Sequence, residues 1–186
     1  AGEGFRIANN YFYDNLLKYM PCDKIIGIDA RGFIFAAVLA QRTRKPLILA
    51  RKAGKLPGTT VSKEFDLEYG TATLELQRDS ISAGDKVIII DDLMATGGTM
   101  QAVIDMVHEL QATPVAVACV IDLTFLGGAN KVREQGIPFY DRWSILNEIF
   151  TVERELFVDL LINLIQSDRR RLIQIHGPNS PSVSTE

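Results

Sequence analysis

Residues 87–99 read VIIIDDLMATGGT. With Lys86 ahead of it, this run makes Lys86–Asp92 the most hydrophobic strand in the chain. Four β-branched residues in a row, with no polar alternation, describe a strand buried on both faces, as in a parallel sheet covered by helices. The reading places Asp91 and Asp92 at the strand's C-terminal end, followed by a glycine-bearing turn over 93–99. A helix then opens near Thr99, with Val103, Met106, Val107 and Leu110 on one face. In open parallel sheets, ligands bind beyond the C-terminal ends of the strands. Gly97 and Gly98 let main-chain N–H groups approach an anion, Thr96 and Thr99 add hydroxyl donors, and the helix directs its positive end at the same spot. Asp91 and Asp92 would repel a phosphate in contact with them. They suit a ligand whose phosphate lies about one sugar length away, where they accept hydrogen bonds from sugar hydroxyls and orient a hydrated metal. A ribose 5-phosphate meets that description. The plainer alternative is a tight strand–helix turn with two solvated acids. Neither a G-x-G-x-x-G fingerprint after a strand nor a Walker A lysine after the glycines is present.

Upstream, Phe5, Ala8, Phe12, Leu16 and Tyr19 recur at helical spacing. Lys24–Asp29 (KIIGID) reads as a buried strand, and Gly32–Arg44 as a helix with Ile34, Ala37, Val38 and Gln41 on its apolar face. Pro46–Arg51 (PLILAR) reads as the next strand. Strand, helix and strand with short connections indicate an α/β fold: a central, mostly parallel twisted sheet with helices on both faces. Ala53–Thr60 reads as a mobile loop. Phe65, Leu67 and Tyr69, then Ala72, Leu74 and Leu76, alternate about Gly70 as an antiparallel hairpin. Ser82–Asp85 reads as a turn and Pro114–Leu123 as a buried strand. Phe125–Gln135 reads as a helix, Ile137–Tyr140 as a short strand, and a last helix is expected from Thr151. Residues 1–176 are expected to form a single domain and residues 177–186 a disordered tail.

Two further strand ends carry anion chemistry. After KIIGID come Ala30, Arg31 and Gly32; after PLILAR come Lys52 and, in the loop, Lys55. Arg31 suits an oxyanion, Gly32 permits close backbone approach, and Arg51, Lys52 and Lys55 form a cationic group fit for a diphosphate. Three basic residues in a loop are ordinarily just solvated. Three anion-friendly turns on successive strand ends are harder to dismiss.

The chain's 186 residues, 47% hydrophobic, suffice for one sizeable core, and a formal net charge of −3 points away from nucleic acid and anionic membranes. No apolar run approaches the roughly 20 residues that span a bilayer. Cys22 and Cys119 both sit at or beside apolar strands and read as buried free thiols, which favours a cytoplasmic location. His108 and His176 have no partner motif. The Arg169–Arg171 run reads as a solvated helix end.

VIIIDDLMATGGT resembles the phosphoribosyl pyrophosphate signature of the type I phosphoribosyltransferases. RKAGKLPG at 51–58, LEYG at 67–70 and IDARGFIF at 28–35 are similar to the adenine-using branch. The likeness spans about residues 5–140. It implies that Ala95, Thr96, Gly97, Gly98 and Thr99 grip the 5-phosphate, and that Asp91 and Asp92 hold the ribose hydroxyls and the outer shell of Mg2+. It implies too that Ala30, Arg31 and Gly32 contact pyrophosphate, and that Arg51, Lys52 and Lys55 neutralise it as it leaves. Arg31 is thereby a catalytic candidate. Asp29–Ala30 matches a position where the family often has a non-proline cis peptide. Residues 53–66 are expected to close as a lid, with Glu68 handling the purine proton and Tyr69 beside it. The resemblance also implies a homodimer acting on phosphoribosyl pyrophosphate and a purine. Family members carry a base-covering segment ahead of the first helix, which is expected to be missing here. The alternatives are a transferase for a 6-oxopurine, or a regulator that senses phosphoribosyl pyrophosphate.

Overall fold

In chain order the elements are α1 (Glu3–Leu16), β1 (Lys24–Ile28), α2 (Gly32–Thr43), β2 (Leu47–Lys52), β3 (Thr60–Asp66), β4 (Thr71–Gln77), β5 (Lys86–Met94), α3 (Gly98–Glu109), β6 (Thr113–Leu123), α4 (Gly128–Glu134) and β7 (Phe139–Ile145). The computed structural model describes residues 3–66 and 70–145. Leu67, Glu68 and Tyr69, the helix expected from Thr151, the Arg169–Arg171 run and residues 177–186 lie outside the described residues. The described residues from 8 onward belong to one compact unit. The sheet and the candidate site belong to it.

The seven strands run in the order β3-β4-β2-β1-β5-β6-β7. The five strands β2, β1, β5, β6 and β7 are mutually parallel, while β4 pairs antiparallel with both β2 and β3. The mostly parallel sheet with an antiparallel hairpin at one edge agrees with the expectation from sequence. One core cluster packs Ile26, Ile28, Val87, Ile89, Val117 and Cys119 of the sheet with Val103, Met106 and Val107 of α3 and Val132 of α4. On the opposite face α2 closes on β1, where a Cβ placed on Gly27 would lie 2.8 Å from the Ala36 Cβ. Phe12 of α1 meets Phe35 of α2 edge-on at 6.1 Å between centroids. Cys22 and Cys119 are both buried and free, as read from the sequence.

Three readings need correction. The face α2 buries is Phe35, Ala36, Leu39 and Ala40, with Gly32, whereas Ile34 is 54% exposed and Ala37 and Gln41 face outward. This helix is apolar on nearly every side, so spacing alone yields two stripes. The sheet accepts the one whose small residues let the backbones approach. Asp91 and Asp92 lie inside β5 rather than at its end. The strand continues to Met94 because β6 goes on offering ladder partners, Leu93↔Ile121 and Met94↔Asp122. Residues 60–66 are part of the expected lid by sequence, yet they form β3, paired with β4 from Thr60↔Gln77 to Asp66↔Thr71. The loop between β2 and β3 is therefore residues 53–59.

Candidate functional site

Strands β2, β1 and β5 are neighbours and parallel, with Ile28 opposite Ala50 and Gly27 opposite Ile90. Their C-terminal ends thus share one edge of the sheet. Residues 29–31, leaving β1, sit between Arg51 of β2 and the acids of β5. Two ion pairs tie these ends together. Arg31 Nε lies 2.6 Å from Asp92 Oδ2, and Arg51 Nε lies 3.4 Å from Asp29 Oδ2. Arg51 also donates through Nη1 to the Lys55 carbonyl at 3.1 Å, which folds the start of the loop back over β2. The peptide between Asp29 and Ala30 is cis, as the resemblance implies. Lys52 and Lys55 are exposed at the same edge.

The adjacent acids are not equivalent. Asp91 is 8% exposed, and its Oδ1 accepts the Asp92 backbone N–H at 2.8 Å. Burial first, and the neighbouring Asp92 charge next, hold the Asp91 carboxyl well above the usual carboxylate range. Asp92 is the acid that faces a cation. Above Asp91, α2 begins so close to β5 that a Cβ on Gly32 would stand 2.8 Å from the Ile90 carbonyl oxygen and 3.0 Å from Asp91 Oδ1. The sequence reading assigns this glycine to close approach by an anion; packing of α2 on β5 requires it independently.

Beyond β5, residues 95–97 turn into α3, with Gly97 at φ 87°, a left-handed conformation that glycine adopts at no steric cost. The outside of this turn is held by α4. The Gly128 N–H donates to the Ala95 carbonyl at 3.1 Å, and Lys131 Nζ donates to the Thr96 carbonyl at 2.9 Å. The hairpin arrives from the other side. A Cβ on Gly98 would come within 3.3 Å of the Asp66 carbonyl oxygen, and Lys63 Nζ lies 3.7 Å from Asp105 Oδ2 of α3. The structure thus gathers the Arg31, Arg51, Asp91 and Asp92 ends along one edge, beside the 95–99 turn.

Residues 7–136 match the phosphoribosyl transferase domain family. An adenine phosphoribosyltransferase of a Marinomonas species is 53% identical over 125 residues, covering 66% of this chain and 69% of that protein. The chain belongs to the phosphoribosyl transferase family. Among solved structures, the adenine phosphoribosyltransferase of Rhodothermus marinus is similar at a TM-score of 0.70 and 35% identity, covering 76% of this chain and 79% of that one. That of Saccharomyces cerevisiae, complexed with an imino-altritol bisphosphate and adenine, is similar at a TM-score of 0.67 and 35% identity, covering 72% of this chain and 76% of that one.

Near this edge of the sheet, four residues were given no side-chain role by the motifs. Asp29 pairs with Arg51, Gly128 and Lys131 support the turn after β5, and Asp122 is an almost fully buried acid at the end of β6. Asp29 and Asp122 share a sequence signal with Asp91, an acid closing an apolar strand. Gly128 and Lys131 carry no signal of their own, because their importance comes from a turn some thirty residues away.

Proposed function

We infer that this chain transfers the 5-phosphoribosyl group of phosphoribosyl pyrophosphate to adenine, releasing AMP and pyrophosphate in purine salvage. Several of the relatives and solved structures that match it are named adenine phosphoribosyltransferases. The observation that carries the reading is the convergence of three parallel strand ends, cross-linked by Arg31–Asp92 and Arg51–Asp29, beside a glycine turn.

The Ala95–Thr99 turn takes the 5-phosphate through backbone N–H groups and the Thr96 and Thr99 hydroxyls. Asp92, with Asp91 behind it, accepts from the ribose hydroxyls. The Ala30–Gly32 turn and Arg31 contact pyrophosphate, and Arg51, Lys52 and Lys55 neutralise it. Arg31 and Arg51 are already partnered by acids, so pyrophosphate binds by exchange for those partners rather than to bare cations. The C1–O bond to pyrophosphate breaks first, leaving a ribose with oxocarbenium character. Purine N9 attacks C1, and the proton it sheds passes to Glu68, with Tyr69 beside it. Neutralising the leaving group and excluding water are what the protein must supply. The hairpin reaches the 98 position through Phe65 and Asp66.

Mg2+ fits as an outer-shell partner. Asp92, its side chain 13% exposed, is the acid open to a hydrated ion. When bound, the ion offsets diphosphate charge. No described helix is long and apolar enough to cross a membrane; a cytoplasmic homodimer is the assembly we propose. The outward Ile34 of α2 is an apolar contact available to a second copy.

The test is purified protein with phosphoribosyl pyrophosphate, Mg2+ and each of adenine, hypoxanthine, guanine and xanthine, following nucleotide and pyrophosphate. AMP from adenine alone is expected. Product from a 6-oxopurine overturns the base assignment, and binding of phosphoribosyl pyrophosphate without turnover of any base overturns the enzyme reading.

A further inference from the structure

Two carbonyls of the turn after β5 are held from outside by one short helix. Ala95 O accepts the Gly128 N–H at 3.1 Å, and Thr96 O accepts Lys131 Nζ at 2.9 Å. In a trans peptide the C=O and the following N–H point in opposite directions. The 95–96 and 96–97 peptides are trans. Tethering their oxygens therefore turns the Thr96 N–H away from the Gly128 N–H and the Gly97 N–H away from the Lys131 ammonium. Those are two of the N–H groups assigned above to the 5-phosphate.

The tether is well seated. A Cβ on Gly128 would stand 2.3 Å from Ala95 O and 2.7 Å from Gly97 N, so α4 and the turn are in direct backbone contact. The helix is joined to α3 by a reciprocal amide pair. Gln135 Nε2 donates to Gln101 Oε1 at 2.7 Å and Gln101 Nε2 to Gln135 Oε1 at 3.3 Å. Gln135 Nε2 also donates to the Lys131 carbonyl at 2.8 Å. The base of the lysine is thus anchored to the same helix that the turn opens. Of the two tethers, the ammonium is the charged donor, and a hydrogen bond with a charged partner is worth more than a neutral one.

We propose that Lys131 is a positioning residue for the 5-phosphate: its ammonium fixes the Thr96–Gly97 peptide so that the Gly97 N–H is presented to the phosphate before substrate arrives. The inference rests on the reading of residues 95–99 as the 5-phosphate site. Lys131 touches no substrate atom; it acts through the peptide it holds. Its effect is confined to ligands that carry the 5-phosphate and does not extend to pyrophosphate, which is bound at the ends of β1 and β2.

The experiment compares wild type with Lys131→Met and Lys131→Arg, and uses Thr99→Val as a probe of the phosphate turn itself. The readouts are kcat, the KM for phosphoribosyl pyrophosphate, inhibition by ribose 5-phosphate and by pyrophosphate, and Tm. Lys131→Met is expected to raise that KM and the ribose 5-phosphate inhibition constant about tenfold, with kcat and the pyrophosphate constant within about twofold. Lys131→Arg, which keeps a charged donor, is expected to recover most of the loss. Unchanged ribose 5-phosphate inhibition in Lys131→Met, with Thr99→Val weakened, overturns this inference alone. Unchanged inhibition in both variants overturns the phosphate-site reading beneath it. Equal loss for ribose 5-phosphate and pyrophosphate, with a lowered Tm and no rescue by Arg, assigns Lys131 to general structure and also overturns the inference.

Discussion

Arg31, just before α2, and Asp92, on the neighbouring strand β5, meet through a 2.6 Å contact between Nε and Oδ2. The pair ties the turn after β1 to the C-terminal part of β5. With Arg51 on Asp29 beside it, the edge holds alternating cations and anions.

Arg31→Gln separates stability from function. The arginine side chain is 39% exposed, and pairs of that kind contribute about 0–1 kcal/mol. Tm is expected to fall by at most about 4 °C. Losing the charge that faces the leaving group is expected to lower kcat/KM for phosphoribosyl pyrophosphate about 10²-fold. Thermal melts and steady-state kinetics on one preparation check this; unchanged kcat/KM leaves the pair a structural link only.

Glu68→Gln keeps the size and removes the base. A positioned acid–base group is worth about 10²–10⁴-fold, and kcat is expected to drop by that range while the KM for phosphoribosyl pyrophosphate stays within a few-fold. Single-turnover formation of AMP measures the chemical step directly. Wild-type turnover removes Glu68 from the role.

Gly32→Ala tests why glycine stands there. The new methyl would meet the Ile90 carbonyl at 2.8 Å and Asp91 Oδ1 at 3.0 Å, backbone and buried carboxyl that have little room to yield. Overpacking of this sort costs about 1–3 kcal/mol. A Tm lower by about 2–10 °C is expected even without ligand. A substitution that left Tm intact and weakened only pyrophosphate binding would assign the glycine to the ligand instead.

Asp122 gives a pH signature. It is 1% exposed, its Oδ1 has no hydrogen-bond partner among the described residues, and burial first, then the Asp141 charge, raises its pKa to about 6. Unfolded, the same group titrates near 3.9 on the ordinary scale, about where model peptides do. Between those values the folded protein holds the extra proton. The group's favourable contribution is therefore present at low pH and is lost as pH rises toward and through about 6. Asp122→Asn is expected to raise stability by about 1–3 kcal/mol at pH 8 and by much less at pH 4.5. Denaturant melts at the two pH values decide it; an equal effect at both removes the titration from the explanation.

The element order was legible because apolar strands and helical stripes repeat with periods set by the backbone itself. KIIGI, LILARK and KVIIIDDLM became neighbouring parallel strands, and the Gly97–Gly98 turn opened α3, as their residues imply. The α2 face was not legible. Ile34 and Phe35 are equally apolar, and only the fit of Gly32 and Ala36 against β5 and β1 decides which stripe is buried.

Residue type at the strand ends determined the chemistry: acids, arginines and glycines in the places where a parallel sheet presents a ligand. Partnership was decided by tertiary structure. Sequence marks Asp91 and Asp92 alike, yet register and the weight of α2 bury the first and leave the second to Arg31, 61 positions away. Lys131, 35 positions from the carbonyl it holds, is an ordinary surface lysine until α4 packs against the turn. Local sequence sets which groups a segment offers, because propensity and charge belong to the residue. Which groups meet depends on contacts between distant segments, and those exist only once the sheet has formed.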